Sequence, residues 1–299
     1  MNDIFITGRV LAARGGFYRV LAAQEQLDCR LRGKLKRKGA LADAEGGVCV
    51  GDLVQISLHK QDGALAGMVE AVQQRDNLLP RPRIANIELT LAVLAAREPL
   101  YDLLLLDKIL LTAAYYGIKA AICFNKVDLA NDDLFPLTEV YKRAGFNVLR
   151  TSALYGQGLG DLRQLLKNKI SVLAGPSGVG KSSLLNALLP EYKAAVGEIS
   201  ARLQRGKHTT RHVSLLPLPD GGLVADTPGF SLLDLPPQLK AKDLPKLYPE
   251  YIEPAADCRF LGCTHNQEPN CAVKEQVTTG KLDAERYERY LRLLKETKS

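Results

Sequence analysis

A glycine-rich segment that ends in a lysine and a serine lies near the middle of the chain. Residues 175–182 read Gly-Pro-Ser-Gly-Val-Gly-Lys-Ser and fit the phosphate-binding pattern G-x-x-x-x-G-K-[ST]. The glycines let backbone N–H groups curl around phosphates, while Lys181 can reach the β- and γ-phosphates and Ser182 can bind Mg²⁺. The residues expected to contact a nucleotide here are Gly175, Pro176, Ser177, Gly178, Val179, Gly180, Lys181, Ser182 and Ser183.

A second motif, Asn125-Lys126-Val127-Asp128, comes earlier in the chain and selects the base. The Asp128 carboxylate can accept two hydrogen bonds from the N1–H and N2–H₂ edge of guanine, an edge that adenine lacks. Lys126 can lay its alkyl stem along the ring, and Asn125 can brace the loop. In Thr151-Ser152-Ala153, which follows a predicted strand, the backbone N–H near Ala153 can donate to guanine O6. We therefore assign Asn125, Lys126, Asp128, Ser152 and Ala153 to a GTP site.

Asp226-Thr227-Pro228-Gly229 follows a predicted buried strand beyond the phosphate-binding segment. The Asp226 carboxylate is suitably placed to hold the metal through water, and the Gly229 N–H can sense a γ-phosphate. Alone, this tetrapeptide would indicate only a turn. Its position behind the phosphate loop favours a GTP contact.

The segment Arg205-Gly206-Lys207-His208-Thr209-Thr210 predicts a switch loop. We favour Thr210 over Thr209 as the hydroxyl that completes the Mg²⁺ shell with Ser182. Phe230 stands where many GTPases place the glutamine that orients water, so another group must do so. We assign a catalytic role to His208, with Lys181 and Thr210. The alternative is that His208 contacts only a partner molecule.

Three cysteines and a histidine are crowded near the C-terminus. Cys258-x4-Cys263-x-His265-x5-Cys271 supplies three thiolates and one imidazole, a tetrahedral set with no open position. The pattern predicts one structural zinc ion, because a cytosolic chain keeps its thiols reduced. Reduced cysteines without a ligand are the alternative.

Alternating strands and helices from about residue 85 must position these motifs. We predict strands at 88–95, 120–124, 146–149 and 170–174, and helices at 102–116, 134–144 and 159–167, with a further helix beginning near Lys181. Strands at 213–216 and 222–225 flank a hairpin turn at Pro219-Asp220-Gly221. This alternation indicates a mostly parallel sheet with helices on both faces. A charged amphipathic helix is expected near 284–295.

The first 75 residues contain five short predicted strands broken by turns, at 4–10, 16–21, 27–31, 50–56 and 67–72. They suggest a small barrel of the OB type, although a meander or an SH3-like barrel would leave nearly the same pattern. Residues 1–40 carry nine Lys or Arg against three acids, most of the net charge of +7. A polyanion such as RNA would meet this end, or the charge is simply a solvated face.

Composition and length favour a protein of two or three globular domains. The 299 residues are 46% hydrophobic and 24% charged. No secretory signal is visible at the N-terminus, and the apolar runs fall short of the ~18 residues that a membrane span needs. We expect a cytoplasmic protein with no membrane contact.

The order of the motifs is circularly permuted relative to Ras-like proteins, because Asn-Lys-x-Asp and Thr-Ser-Ala precede the phosphate loop, Thr-Thr and Asp-Thr-Pro-Gly. With a barrel before it and the Cys/His cluster after it, this order resembles the ribosome small-subunit-dependent GTPase A family (RsgA/YjeQ). The resemblance covers nearly the whole chain and includes Arg75-Asp76-Asn77-Leu78-Leu79-Pro80-Arg81-Pro82. Arg205 and Lys207 depart from the glycine-rich approach to His-Thr-Thr that relatives often carry.

The resemblance implies a monomeric factor that acts late in maturation of the 30S subunit, with GTP hydrolysis stimulated by that subunit and release of another assembly factor. It also implies 16S rRNA as a binding partner, one structural Zn²⁺, and Mg²⁺ with GTP. The domains expected are an OB-like RNA-binding barrel over 1–75, a circularly permuted α/β P-loop GTPase domain over 76–235 and a zinc-binding domain with helices over 236–299.

Two other functions fit parts of the pattern. An RNA-binding scaffold whose nucleotide is only a structural ligand would carry the same basic barrel and zinc cluster, and subunit-stimulated turnover distinguishes it. A P-loop kinase or ATPase is disfavoured by Asn125-Lys126-Val127-Asp128. Because the second switch leads directly into Pro236-Pro237 and the zinc cluster, we also hypothesise that loss of the γ-phosphate repositions the zinc domain relative to the barrel.

Overall fold

The computed structural model describes residues 5–33, 47–61, 64–130, 134–191, 213–226 and 234–297. The described strands, in chain order, are β1 (Phe5–Arg14), β2 (Phe17–Ala22), β3 (Glu25–Leu31), β4 (Leu53–Gln61), β5 (Ala64–Val72), β6 (Leu78–Pro80), β7 (Arg83–Ala85), β8 (Leu89–Ala95), β9 (Lys119–Asn125), β10 (Asn147–Arg150), β11 (Ile170–Ala174), β12 (Ser214–Pro217) and β13 (Leu223–Asp226). The described α-helices are α1 (Leu103–Tyr115), α2 (Leu134–Arg143), α3 (Leu159–Leu166), α4 (Lys181–Leu188), α5 (Pro249–Ala255), α6 (Ala272–Thr278) and α7 (Ala284–Glu296).

The chain forms two compact units. The first comprises Met1–Leu89, Arg163–Leu173 and Gly197–Phe230, and the second comprises Thr90–Leu162, Ala174–Val196 and Ser231–Ser299. Within the described residues, no helix combines the length and the apolar character that crossing a bilayer requires.

The N-terminal strands close into a five-stranded barrel. β1 pairs antiparallel with β2 and with β4, β2 pairs antiparallel with β3, and β4 pairs antiparallel with β5. The remaining pair, β3 with β5, is parallel. A meander would pair β3 with β4, so the observed order is that of the OB-type Greek-key barrel and settles the alternative that the sequence left open.

The core of the barrel is formed by the inward-facing residues that alternate with outward-facing residues along its strands. Alternate residues of each strand point inward, and Gly15 and Gly16, both with positive φ, form the turn of the β1–β2 hairpin. The hydrophobic core cluster of the barrel includes Val10, Val20, Ala22, Leu27, Cys29, Val54, Ile56 and Val69.

Further strands of the first unit extend from the barrel. β1 pairs antiparallel with β12 through Ala12 and Ser214, and β12 pairs antiparallel with β13 across the predicted turn at 219–221. β13 pairs in parallel with β11. The β6–β7 hairpin was not predicted, because Pro80 and Pro82 make its short strands read as loop.

The second unit holds neighbouring strands in the order β10, β9, β8, with β9 and β10 parallel. All seven residues of β8 are buried, as expected for a strand covered on both faces. α1 begins after Asp102, whose carboxylate accepts from the backbone N–H groups of Leu104 and Leu105. The α/β class predicted for this region is confirmed, with helix and strand bounds within a few residues of expectation.

Residues 234–297, here called the C-terminal module, contain α5, α6 and the predicted amphipathic helix α7. Their core includes Tyr248, Tyr251, Tyr290 and Leu293, and Leu111 of α1 is buried in the same cluster. Short helices α5 and α6 were not predicted. Each is only seven residues long and depends on packing rather than on its own periodicity.

Candidate functional site

A single buried amide joins the three loops that the sequence assigns to the nucleotide. Asn125 ends β9 and is 1% exposed. Its Nδ2 donates to the Val179 carbonyl oxygen at 3.0 Å, while its Oδ1 accepts from Thr151 Oγ1 at 3.2 Å and from the Ala153 backbone N–H at 3.1 Å. The guanine motif, the Thr-Ser-Ala segment and the phosphate loop are therefore held together, although they are far apart in sequence. Asn125 braces more than its own loop.

The glycines of the phosphate loop are required by close backbone approaches. A Cβ on Gly175 would lie 2.1 Å from the Val93 carbonyl oxygen, and a Cβ on Gly180 would lie 2.3 Å from Asn125 Nδ2. Gly175 and Gly180 also have positive φ, which disfavours other residues. β11 ends at Ala174 and α4 begins at Lys181, so the loop has the strand-to-helix context that gives the motif its meaning.

Lys181 is folded back onto its own loop. Its Nζ donates to the carbonyl oxygens of Gly175 and Pro176, each at 2.8 Å. Burial lowers the pKa of this ammonium from 10.5 to about 8. A phosphate brought to the loop would supply the negative charge that this buried cation lacks. Ser182 and Ser183 follow in the first turn of α4, half-buried.

The guanine motif continues from Asn125 into a strained turn. Lys126 has φ of 60°, and its Nζ donates to the Glu98 carbonyl oxygen. Asp128 lies in a 3₁₀ turn over Val127–Leu129 and is exposed, so its carboxylate is accessible to a base. Glu98 was missed by the sequence analysis. A backbone carbonyl carries no residue-type signal that would reveal it.

The Thr-Ser-Ala segment lies beside the guanine motif. The Thr151 carbonyl oxygen accepts from the Val127 backbone N–H at 3.1 Å, and Ser152 is fully buried, with its Oγ accepting from the Tyr155 N–H at 3.3 Å. The Ala153 N–H, predicted to donate to guanine O6, donates here to Asn125 Oδ1. Its donation to a base stays a prediction.

The predicted switch residues divide between described and undescribed parts of the chain. Asp226 is the last residue of β13, and its neighbour Ala225 pairs in parallel with Val172 of β11. Because parallel strands end at one sheet edge, Asp226 lies at the edge towards which β11 also runs. His208, Thr210 and Gly229 lie outside the described residues.

The Cys/His cluster is assembled as the spacing predicts. The ligand atoms of Cys258, Cys263, His265 and Cys271 all lie within 4.8 Å of one another. His265 Nδ1 is 3.3 Å from Cys271 Sγ and 3.6 Å from Cys258 Sγ, and the sulfurs of Cys258 and Cys271 are 3.9 Å apart. A tetrahedral zinc site places sulfur pairs about 3.8 Å apart and sulfur–nitrogen pairs about 3.5 Å apart. The donor set therefore fits Zn²⁺.

Local hydrogen bonds hold the histidine of this cluster. Although burial raises the pKa of Glu268, hydrogen bonds from Thr264 and Asn266 lower it overall to about 2, and the ionised carboxylate shapes the turn. Burial lowers the pKa of His265, against the raising effect of Glu268, which favours the neutral imidazole that a metal requires. From α7, the Tyr287 hydroxyl donates to the His265 carbonyl oxygen at 2.6 Å.

A buried ionic cluster that the sequence analysis missed joins α1 to α7. Asp107 is fully buried and pairs with Arg286 and, at 2.7 Å, with Arg289 Nε. Tyr141 of α2 donates its hydroxyl to Asp107 Oδ1 at 3.0 Å, and Arg286 also pairs with Glu250. One signal existed in the sequence. Asp107 is an acid on the apolar face of a helix, where an unpaired charge is not tolerated.

The barrel carries an exposed cation–aromatic pair on β2 and β3. Phe17 is 50% exposed, and the Arg30 guanidinium carbon lies 4.7 Å from its ring centroid. Arg19, two residues from Phe17, pairs with Asp28 at 3.3 Å and is also exposed. Residues 34–46, which hold much of the predicted basic stretch, lie outside the described residues.

Two family models match this chain. The model described as RsgA GTPase matches residues 72–236, and the model described as RsgA N-terminal domain matches residues 7–65. Among curated proteins, the chain is 42% identical to the "Small ribosomal subunit biogenesis GTPase RsgA" of Moorella thermoacetica, across 97% of this chain and 96% of that protein. It is 41% identical to the protein of the same name from Shouchella clausii, across 97% and 96%.

Solved structures agree with these similarities. The chain is similar to the crystal structure of YjeQ from Thermotoga maritima, with a TM-score of 0.83, 32% identity and 98% coverage of both chains. It is also similar to YloQ, described as a circularly permuted GTPase, with a TM-score of 0.80, 32% identity, and coverage of 98% of this chain and 95% of that one.

Proposed function

The chain belongs to the RsgA GTPase family, and from that membership we propose that it hydrolyses GTP to GDP and phosphate in the biogenesis of the small ribosomal subunit. The finer proposal is that it acts late in 30S maturation, that the subunit stimulates hydrolysis and that hydrolysis releases another assembly factor. Similarity along nearly the whole chain to proteins named as small ribosomal subunit biogenesis GTPases supports the coarser part of this proposal, a role in biogenesis of that subunit.

The observation that carries the nucleotide assignment is the bonding of Asn125 to the phosphate loop and to Thr-Ser-Ala. This bonding supports the assignment of Asp128, which follows Lys126 and Val127, to the same nucleotide site as the phosphate loop. Asp128 then accepts from the guanine edge, and the stem of Lys126 covers the ring. The base and the phosphates are held by loops that one buried amide fixes relative to each other.

The phosphate and magnesium contacts follow from the loop chemistry. Lys181 exchanges the carbonyl oxygens of Gly175 and Pro176 for β- and γ-phosphate oxygens, and the backbone N–H groups of the loop donate to the same oxygens. Ser182 and Thr210 are proposed Mg²⁺ ligands, with Asp226 holding the ion through water. The Gly229 N–H is proposed to contact the γ-phosphate.

His208 is proposed to orient the attacking water, because Phe230 cannot hydrogen-bond to it. The water oxygen bonds to the γ-phosphorus as the bond to the β–γ bridging oxygen breaks, the proton of the water passes to the phosphate product, and Lys181 meets the charge that develops on GDP. A Mg²⁺ ion held by Ser182 and Thr210 would supply further positive charge there. We expect His208→Ala to lose most of its turnover at saturating 30S while GTP affinity changes little. Full turnover in this variant would assign His208 to a partner contact.

The C-terminal Cys/His cluster is proposed to hold one structural zinc ion. Its four donors fill a tetrahedron, leaving no position for water or substrate. The metal would supply folding free energy to the C-terminal module rather than chemistry.

The barrel is proposed as the main contact with 16S rRNA. Exposed Phe17 and Arg30 on β2 and β3 offer an aromatic face and a cation on the strands that OB-type barrels use for oligonucleotides. We further propose the three-domain division at 1–75, 76–235 and 236–299, a monomeric state and a cytoplasmic location.

We also propose that loss of the γ-phosphate repositions the zinc domain relative to the barrel. The C-terminal module belongs to the same compact unit as α1. Identical solution scattering of GTP-analogue and GDP forms, with and without 30S, would contradict this proposal.

Turnover measured with and without 30S subunits tests the proposed function. We expect slow hydrolysis by the protein alone and a marked increase when mature 30S subunits are added. Binding of GTP without any stimulation by the subunit would instead favour an RNA-binding scaffold with a structural nucleotide.

A further inference from the structure

One face of α1 is docked on the C-terminal module. Asp107 pairs with Arg286 and Arg289, Lys108 pairs with Glu296 at 2.7 Å, and Leu111 is buried in the module's core. Residues at this three- and four-residue spacing lie on one side of a helix. The other residues of the same face that pack against the module are Leu104, Thr112 and Tyr115.

The residues immediately before α1 contact the nucleotide loops. The Glu98 carbonyl oxygen accepts from Lys126 Nζ of the guanine motif. Pro99 Cδ lies 3.6 Å from the position that a Cβ on Gly178 of the phosphate loop would occupy. Tyr101 packs its ring edge-on against Phe124 of β9, with centroids 6.2 Å apart. The segment 97–101 therefore joins the start of α1 to Lys126 of the guanine motif and lies close to Gly178 of the phosphate loop.

Elsewhere in the module, α7 is hydrogen-bonded to the loop that carries His265. The Tyr287 and Tyr290 hydroxyls donate to the carbonyl oxygens of His265 and Thr264. The same helix supplies Arg286 and Arg289 to Asp107. A continuous series of bonded elements therefore runs from His265 through α7 and α1 to the segment 97–101. All of them lie within one compact unit.

We propose that Asp107 is a positioning residue for the guanine nucleotide: by fixing α1 to the metal-loaded C-terminal module, it orders the segment 97–101 that holds Lys126, so that metal and guanine nucleotide strengthen each other's binding. The inference rests on the proposed function, since it concerns the same nucleotide site. The physical reason is entropic. When the module already orders α1, nucleotide binding loses less conformational entropy in ordering that helix.

Linkage gives the first test. Zinc is removed from the full-length protein with a chelator, retention of fold is checked by circular dichroism, and the affinity for a fluorescent GDP is measured before and after. We expect affinity to fall by at least about fivefold, within the usual range of coupling between sites. Zinc affinity, measured by chelator competition, must rise by the same factor when GDP is present, because coupling is reciprocal.

A mutant cycle tests the route through Lys126. Asp107→Asn is expected to weaken GDP binding in the wild-type background and to have little further effect in a Lys126→Ala background, because the ordered contact is already lost. Arg289→Gln, which removes only one partner of Asp107, serves if Asp107→Asn fails to fold. Arg292→Gln, an exposed position three residues along α7, is the matched control and should bind GDP normally.

The outcomes separate the inference from the proposed function. If the zinc-loaded wild-type protein binds no guanine nucleotide, the proposed function fails. If it binds GDP and neither zinc removal nor the Asp107 and Arg289 variants change the affinity, the inference is overturned. Losses that simply add in the mutant cycle also overturn it, because they indicate general destabilisation and not a route through Lys126.

Discussion

The side-chain amide of Asn125 donates to the backbone carbonyl oxygen of Val179 at 3.0 Å, joining residues 54 positions apart in the chain. In this protein the guanine motif precedes the phosphate loop, yet the two are bonded directly. The contact depends on where the strands end and not on the order in which the chain visits them. Reversal of motif order therefore leaves these two loops in direct contact.

The first prediction concerns this amide. Asn125→Asp keeps the Oδ1 acceptor for Thr151 and Ala153 but removes the donor to Val179, and it places an unpaired charge in a buried position. A buried group left unsatisfied costs about 1–3 kcal/mol, so the variant should be less stable by about that amount, and GDP affinity should fall because Asn125 no longer holds the phosphate loop to the guanine motif. Binding of a fluorescent GDP and thermal unfolding measure the effect.

The matched control for that change is Asn147→Asp, at an exposed position on β10. It introduces the same charge without touching the three loops, and its GDP affinity should equal that of wild type. Equal losses in both variants would show that the Asn125 bonds are not what holds the nucleotide loops.

The lowered pKa of Lys181 predicts that nucleotide binding depends on pH. Burial lowers its pKa to about 8, and bound phosphates raise that pKa again. Above about pH 8, binding must therefore take up a proton at Lys181, and affinity should fall by up to tenfold per pH unit. Calorimetry in two buffers of different ionisation enthalpy measures the proton uptake at pH 9 and at pH 7.

Lys181→Met supplies the control, because it cannot take up that proton. The stability of the nucleotide-free protein, unlike its affinity for nucleotide, should rise with pH. The folded pKa of Lys181 lies below its unfolded value of 10.5, so the cost of the buried charge is present at low pH and is lost as pH rises from about 8 to 10.5. The nucleotide-free wild type should gain stability relative to Lys181→Met across that window.

The Cys/His cluster predicts one zinc ion per chain. Cys263→Ser should abolish zinc retention and lower the unfolding temperature, because the ligand set loses a thiolate and the module loses its cross-link. Elemental analysis of the purified protein measures the metal content. Cys49→Ser, a buried cysteine in the first unit, should retain a full equivalent of zinc. Loss of zinc from both variants would place the metal elsewhere.

The exposed pair on the barrel predicts the salt dependence of RNA binding. Arg30→Gln removes the cation over Phe17 and should weaken binding to small-subunit RNA while lowering the salt slope by about one. Titrations at several salt concentrations measure both. Arg163→Gln, on α3 outside the barrel, should change neither value. Unchanged binding by Arg30→Gln would move the RNA contact away from this face.

Sequence periodicity and motif context predict most of the nucleotide site. β11 ends at Ala174, as predicted, and β9 runs into Asn125, because an apolar strand must stop where polar loop residues begin. α4 begins at Lys181, as predicted, directly after Gly180, whose positive φ is not helical. These features are local, so the residues themselves specify them.

Non-local features were beyond the sequence. The parallel pairing of β3 with β5 decides the barrel type, yet pairing partners leave no periodic signal. The acceptor for Lys126 is the backbone carbonyl of Glu98, which any residue type would offer. Asp107 could have been suspected of having a buried cationic partner, but its partners Arg286 and Arg289 lie in a helix that looks like an ordinary charged surface helix.

The central claim is that Asp128 reads guanine in a site that hydrolyses GTP, and a nucleotide exchange tests it most directly. Turnover and affinity are measured for wild type and Asp128→Asn with GTP and with xanthosine triphosphate, at saturating 30S subunits. The side-chain amide of the variant can donate to the xanthine 2-oxo group where the carboxylate of wild type accepts from the guanine amine. We expect affinity and turnover of the variant to fall with GTP and to rise with xanthosine triphosphate by a comparable factor. A variant that still prefers GTP would contradict the assignment of Asp128 and with it the site described above.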